Sequence, residues 1–310
     1  MVFCNTFNVG DTMKFYIIIG LLLFTLNLKA NVYQVTRNDD SQLTFYFDTP
    51  EKQDFPILFS LQGSGCNSKF NSHQKTKKSI IKYLQVGFVT VEKRGFPSKD
   101  VNCPEEYLEN NTLHGRVSDV LLVMNFIRTN VSGWSQQVIF SGGSEGGVVA
   151  SLVSPLVPET IATILFASGG GFSFAEELEI LVDKYGDLCG TTAETLPLKF
   201  QEMHLNPTHT KTWCGKTNTY KFWSSHLKIK AINSLLKLNS PIYLAHGTED
   251  ESVPIESSDE VAETFNLLNK TNLSYIRYLG LNHRFQDAQG NNHNNRVIGE
   301  AFEWLLKILN

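Results

Sequence analysis

The sequence predicts an α/β fold: a mostly parallel, eight-stranded sheet flanked by helices, carrying a largely helical cap insertion. Three observations lead there. Short apolar runs alternate with amphipathic stretches, one long interval interrupts that alternation, and a glycine-rich elbow joins a run directly to a helix.

The apolar runs occupy 32–36, 43–47, 57–61, 88–91, 138–140, 161–166, 242–245 and 275–279. Runs this short suit strands buried on both faces beneath covering helices. Asn38-Asp39-Asp40 separates the first two at hairpin spacing, so that leading pair is expected to be antiparallel. Helical patterns follow later runs at 77–85, 116–128, 145–153, 257–268 and 295–309. The alternation sets loops at the carboxyl ends of the strands, where open α/β sheets hold their ligands. Between 166 and 242 no strand-like run occurs, yet the interval contains Phe172, Phe174, Trp213, Phe222 and Trp223. A structureless loop of that length is uncommon in a compact domain, so 172–240 is expected to be a mostly helical cap. Its aromatics either form core or line an apolar substrate pocket.

Composition excludes several classes. With 42% hydrophobic residues and a net charge of −4 over 310 residues, the chain can bury a core and is not disordered. It has no basic excess to neutralise phosphates, so nucleic acid is not an expected partner. It lacks a triplet glycine period and a 20 to 50 residue repeat, so neither fibre nor solenoid is indicated.

Residues 1–30 read as a secretory signal: Lys14, then the apolar stretch 15–24, then a polar step to Ala30, with Met13 as a plausible true start. The stretch is shorter than the about 20 apolar residues a membrane-spanning helix needs, so no stable span is expected once the signal is removed. The mature domain is then 31–310, exported to the periplasm or the cell exterior. Cleavage removes Cys4 and leaves Cys66, Cys103, Cys189 and Cys214. An even count in an exported chain argues for disulfides. Cys66 with Cys103 and Cys189 with Cys214 is the favoured pairing, because each pair falls in loop or insertion segments able to lie together; four buried thiols are the alternative. No C-x-x-C pair is present, so neither a zinc nor a thioredoxin-like site is expected.

The chemistry is concentrated in three motifs. Ser141-Gly142-Gly143-Ser144-Glu145-Gly146-Gly147 is a G-x-S-x-G sequence lying directly after one run and directly before a helical stretch. That context demands a sharp elbow with the Ser144 hydroxyl standing above the sheet edge, and a helix amino terminus behind it offers free N–H groups to negative charge. A serine hydroxyl is a weak nucleophile and needs a base oriented by an acid. Downstream of two further runs come His246-Gly247-Thr248-Glu249-Asp250-Glu251-Ser252-Val253-Pro254 and Gly280-Leu281-Asn282-His283-Arg284-Phe285. The order serine, acid, histidine follows, with His283 as the base.

These three motifs together resemble the α/β-hydrolase superfamily, particularly its dienelactone-hydrolase-like and prolyl-oligopeptidase-like branches, over residues 55–310. The resemblance implies that the acid is Asp250, the fifth position of H-G-x-x-D-x-x-V-P; Glu249 and Glu251 remain alternatives, and His246 takes a structural place. His204, His209, His226 and His293 have no carboxylate at metal-ligand spacing and receive no role. An oxyanion hole needs two preorganised N–H donors. Glu145 supplies one through its backbone. The turn Gln62-Gly63-Ser64-Gly65-Cys66 resembles the H-G-x-x oxyanion loop with Gln62 in the histidine position, and Ser64 supplies the second, with Gly63 as runner-up. A Cys66–Cys103 bridge would fix that loop.

The reaction implied is hydrolysis of a small-molecule carboxylic ester or thioester through an acyl-enzyme on Ser144, with no metal and no organic cofactor. Small-peptide or amide hydrolysis is the second reading. It is disfavoured because the stretch between Ala30 and Ile57 is too short for the β-propeller of prolyl oligopeptidases. A hydrolase-fold protein that binds without turnover is the third.

Overall fold

The computed structural model describes residues 31–96 and 103–310. The export signal expected at 1–30, with Met13 and Cys4, lies outside the described residues.

β1 (Val32–Thr36) and β2 (Gln42–Asp48) form the expected hairpin, with Val35 opposite Leu43 and Asp40 turning at φ 62°. The other strands are β3 (Phe55–Leu61), β4 (Gly87–Val91), β5 (Trp134–Gly143), β6 (Thr160–Phe166), β7 (Ile242–Gly247) and β8 (Leu273–Tyr278). They make one eight-stranded sheet in the order β1-β2-β4-β3-β5-β6-β7-β8. β2 runs antiparallel to both neighbours and every other pairing is parallel. Each apolar run of the sequence thus became a strand. β5 reaches back to Trp134 because its polar first residues still pair, Phe55 lying opposite Trp134.

Side chains alternate across the pleat and feed two separate cores. Ile57, Phe59, Val138, Phe140, Leu165 and Leu244 point to one face. Leu58, Ile139, Ile164, Tyr243 and Ala245 point to the other. The first face is covered by α3 (Leu113–Asn130), α4 (Glu145–Val153) and α9 (Ile255–Leu267), the second by α1 (Phe70–Leu84) and α10 (Asn294–Leu309). Burying each of the Val, Ile, Leu and Phe side chains among them contributes roughly 1.5–3 kcal/mol.

α1 starts at Phe70, well before the apolar pattern at 77. Its first turns bury polar groups instead: His73 Nε2 and Lys77 Nζ each lie 2.9 Å from the Asp48 carboxylate. The short helix α2 (Glu105–Asn110) has no counterpart in the apolar pattern.

Between β6 and β7 the chain forms α5 (Phe174–Tyr185), α6 (Leu196–Leu205), α7 (Tyr220–His226) and α8 (Ile232–Leu235). Ser173 and Glu176 make a reciprocal capping box that starts α5. Leu178, Leu181, Met203, Trp213, Phe222 and Trp223 pack into a cluster of their own. The Trp223 indole donates to the Trp213 carbonyl (2.9 Å) and the Trp213 indole to Thr191 Oγ1 (3.0 Å), as buried indoles require. These aromatics are core. A small cavity beside Phe172, Phe174 and His226, closed by Leu113 of α3 and Val148 of α4, has a volume of about 10 Å³, enough for one water at most.

Candidate active site

Parallel pairing brings the carboxyl ends of β3, β5, β6, β7 and β8 to one edge: Leu61 lies beside Gly142, Gly143 beside Phe166, Phe166 beside Ala245 and Gly247 beside Tyr278. Every expected site residue follows one of those strand ends within a few positions.

Ser144 links β5 to α4 at φ 53° and ψ −130°, a conformation that side-chain-bearing residues seldom adopt and that marks a strained turn. Its N–H donates to the Phe166 carbonyl (2.8 Å), and its own carbonyl accepts from Gly147 (2.9 Å). The flanking glycines are there for space. A Cβ on Gly142 would come within 2.2 Å of the Gly146 carbonyl oxygen, and one on Gly146 within 2.2 Å of the Leu61 carbonyl oxygen.

The loop after β3 lies against this elbow. The position a Cβ would take on Gly63 is 3.4 Å from Ser144 Cβ. Ser64 is exposed, and Cys66 is bridged to Cys103. The second disulfide joins Cys189 to Cys214, so the favoured pairing is the one present.

Asp250 is buried, while Glu249 and Glu251 are exposed. Its Oδ1 accepts from the Ser252 and Val253 N–H groups (2.8 and 2.9 Å). His283 Nδ1 lies 2.8 Å from Oδ2 and 3.0 Å from Oδ1. His246 Nε2 is 2.9 Å from Oδ2 and 3.1 Å from the Val253 carbonyl. Two acceptors around one nitrogen require it to carry the proton, and in the neutral ring Nδ1 is then the acceptor for the Ser258 hydroxyl, 2.6 Å away. Burial opposes ionisation of Asp250, but the hydrogen bonds from His246 and His283 outweigh it and hold the carboxyl down at about 2. An ionised Asp250 makes His283 Nδ1 the donor, and in the neutral imidazole Nε2 is then the acceptor. Asp250 and His283 are therefore brought together; among the described residues no hydrogen bond joins the Ser144 hydroxyl to His283.

Three charged groups behind the elbow were not foreseen. The Glu145 side chain is buried, with Arg116 Nη1 at 2.9 Å, His226 Nε2 at 3.3 Å and Lys93 Nζ at 3.8 Å. Burial disfavours its charge, yet Arg116, Lys93 and His226 hold the carboxyl well below the usual range. Burial pushes Lys93 down to about 7 against the pull of Glu145. The available signal was Glu92-Lys93-Arg94 set directly at the end of a buried run, where charge is unusual. His226 and His293, for which the sequence offered no carboxylate, face Glu145 and Asp287. His209, also without a carboxylate at metal-ligand spacing in the sequence, has a ring nitrogen within 4.8 Å of carboxylate oxygens of exposed Glu105 and half-buried Glu109.

An eight-stranded sheet with one antiparallel strand, covered on both faces, with a serine elbow after β5 and an acid–histidine pair after β7 and β8, defines an α/β-hydrolase. The BD-FAE family model matches residues 43–265, and the chain belongs to that family. Solved structures agree on the fold. Est1E from Butyrivibrio proteoclasticus, with ferulic acid bound, is 17% identical at a TM-score of 0.63 over 89% of this chain and 99% of that one. The Pyrococcus furiosus esterase Pf2001 is 15% identical at a TM-score of 0.59, covering 90% of this chain and 89% of its own. Thermogutta terrifontis esterase 2 is 16% identical at a TM-score of 0.56, covering 91% and 95%. No curated protein sequence matches the chain.

Proposed function

We propose that the protein is an exported serine hydrolase that cleaves a small carboxylic ester through an acyl-enzyme on Ser144. The observation that carries this reading is the pairing of buried Asp250 with His283 at the sheet edge where Ser144 stands in its elbow. His283 Nε2 takes the hydroxyl proton as Ser144 Oγ attacks the ester carbonyl carbon. The N–H groups of Glu145 and Ser64 stabilise the oxyanion. Collapse expels the alkoxide, which leaves as the alcohol with the proton from His283. His283 then takes a proton from water, which attacks the acyl carbon, releasing the acid and restoring Ser144. In substrate-free enzymes the base–nucleophile contact is often longer than in the Michaelis complex, so its absence as a hydrogen bond does not remove His283 from the role. Two disulfides support export. The naming of Pf2001 and of the Thermogutta protein as esterases, and ferulic acid in Est1E, support an ester, while a puromycin-hydrolyzing peptidase among the neighbours is what keeps the amide reading as the alternative.

The test is a hydrolysis screen of p-nitrophenyl acyl esters and methyl ferulate beside aminoacyl anilides, with fluorophosphonate labelling of the wild type and Ser144→Ala. Ester turnover with label lost in Ser144→Ala is expected. Preferential anilide cleavage would favour a peptidase, and an unlabelled, inactive wild type would favour a binding protein.

A further inference from the structure

Behind the loop that follows β3, two side chains grip its backbone. Lys93 Nζ donates to the carbonyl oxygens of Gly63 and Gly65, both at 2.8 Å. Arg116 donates through Nη2 to the carbonyl oxygen of Gln62. Lys93 lies two residues past the end of β4 and Arg116 in the first turn of α3, and their side chains are only 2% and 10% exposed. Both converge on the Glu145 carboxylate, itself 3% exposed.

The geometry of a trans peptide gives these contacts a direction. A carbonyl and the N–H that follows it point opposite ways. Holding the Gln62 and Gly63 carbonyls inward therefore turns the N–H groups of Gly63 and Ser64 outward, and Gly63 is the residue seated against Ser144. Without the grip, a loop with glycine at 63 and 65 could flip those peptides at little cost and present a carbonyl oxygen where a donor is needed. Lys93 keeps the two N–H bonds it uses whether it is ammonium or amine.

Resting on the hydrolase reading above, we propose that Lys93 and Arg116 are positioning residues that set the oxyanion donors of the 62–65 loop, with Glu145 as their shared counter-ion. Glu145 then serves twice. Its backbone N–H is one donor of the hole, and its side chain holds the cations that orient the other, so both halves of the hole are referenced to one residue.

The experiment measures kcat and KM for p-nitrophenyl acetate in Lys93→Met and Arg116→Met, normalised to the number of sites labelled by fluorophosphonate, together with inhibition by an alkyl trifluoromethyl ketone, which forms an oxyanion adduct. Each variant is expected to lose about 10²- to 10³-fold in kcat per labelled site, as when one oxyanion donor is removed. KM should move little, and ketone affinity should fall in step with kcat/KM. Lys93→Arg, which can still donate to two carbonyls, should recover most of the rate. If the single variants do not fold, Lys93→Met combined with Glu145→Gln, which removes the carboxylate left unpaired, replaces them. A kcat per labelled site within about threefold of wild type, with ketone affinity unchanged, overturns the proposal; a lower melting temperature alone does not support it. Retained hydrolysis in Ser144→Ala would instead overturn the hydrolase reading itself.

Discussion

Asp250 and His283, 33 residues apart in the chain, meet with Nδ1 at 2.8 Å from Oδ2, and the carboxylate has no solvent-exposed side-chain surface. Two backbone N–H groups and His246 orient the carboxylate, so its hold on the His283 tautomer is fixed from three directions. Asp250→Asn should lower kcat by about 10³- to 10⁴-fold, since an amide can stabilise the wrong tautomer and cannot balance an imidazolium. Steady-state kinetics on a p-nitrophenyl ester measures it, and a loss under tenfold would remove Asp250 from the role.

The same carboxylate sets an acid limit. Because its pKa is lowered on folding to about 2, its contribution to stability is complete above the unfolded value near 4 and disappears as pH falls through about 2. Thermal denaturation between pH 5 and 2 should show a shallower acid decline in Asp250→Asn than in the wild type.

Glu177 runs the other way. Burial raises its carboxyl to about 7, against hydrogen bonds from Ser257 and the Gly170 N–H. Between about 4.5 and 7 the unfolded chain gives up a proton that the folded chain keeps, so stability falls as pH rises through that window, by roughly 3–4 kcal/mol. Glu177→Gln lacks this slope, and its melting temperature should gain on the wild type between pH 5 and pH 8. Parallel curves would refute the assignment.

Two glycines make a matched pair. At Gly146 a Cβ would strike the Leu61 and Gln62 carbonyl oxygens at 2.2 and 2.7 Å, so Gly146→Ala should cost at least about 2 kcal/mol and abolish turnover. At Gly299, within α10, a Cβ meets nothing within 4 Å, and Gly299→Ala should stabilise by about 0.5–1 kcal/mol. Urea denaturation of both variants decides the point.

The disulfides should separate by function. Replacing either pair with serine is expected to cost about 2–5 kcal/mol. Loss of Cys66–Cys103 should also lower kcat, because it frees the loop beside Ser144, whereas loss of Cys189–Cys214 should leave kcat per labelled site near that of wild type.

The inner strands were legible because burial on both faces leaves uninterrupted apolar runs, and Asp250 with His283 because their motifs resemble those of the α/β-hydrolases, in chain order along successive strand ends. The start of α1 was not, since Asp48, His73 and Lys77 satisfy one another across the fold and no apolar period records it. The Lys93, Arg116 and Glu145 cluster was hidden for the same reason: charged residues usually read as solvated, and the partners are distant in sequence. The aromatics between β6 and β7 could be core or pocket on sequence grounds; only packing distinguishes Trp213 and Trp223 as core.

Because α5, α6 and α7 bury their large side chains chiefly among themselves and carry a private cross-link, whereas α8 packs into the sheet core, substitutions inside that cluster should combine additively with substitutions in the sheet cores. Family members can thus diverge in α5, α6 and α7 without repacking the sheet, and a chimera carrying those helices from another member should still assemble both sheet cores. His226 and Glu177 are side chains to preserve in that exchange, since they reach Glu145 of α4 and Ser257 of α9.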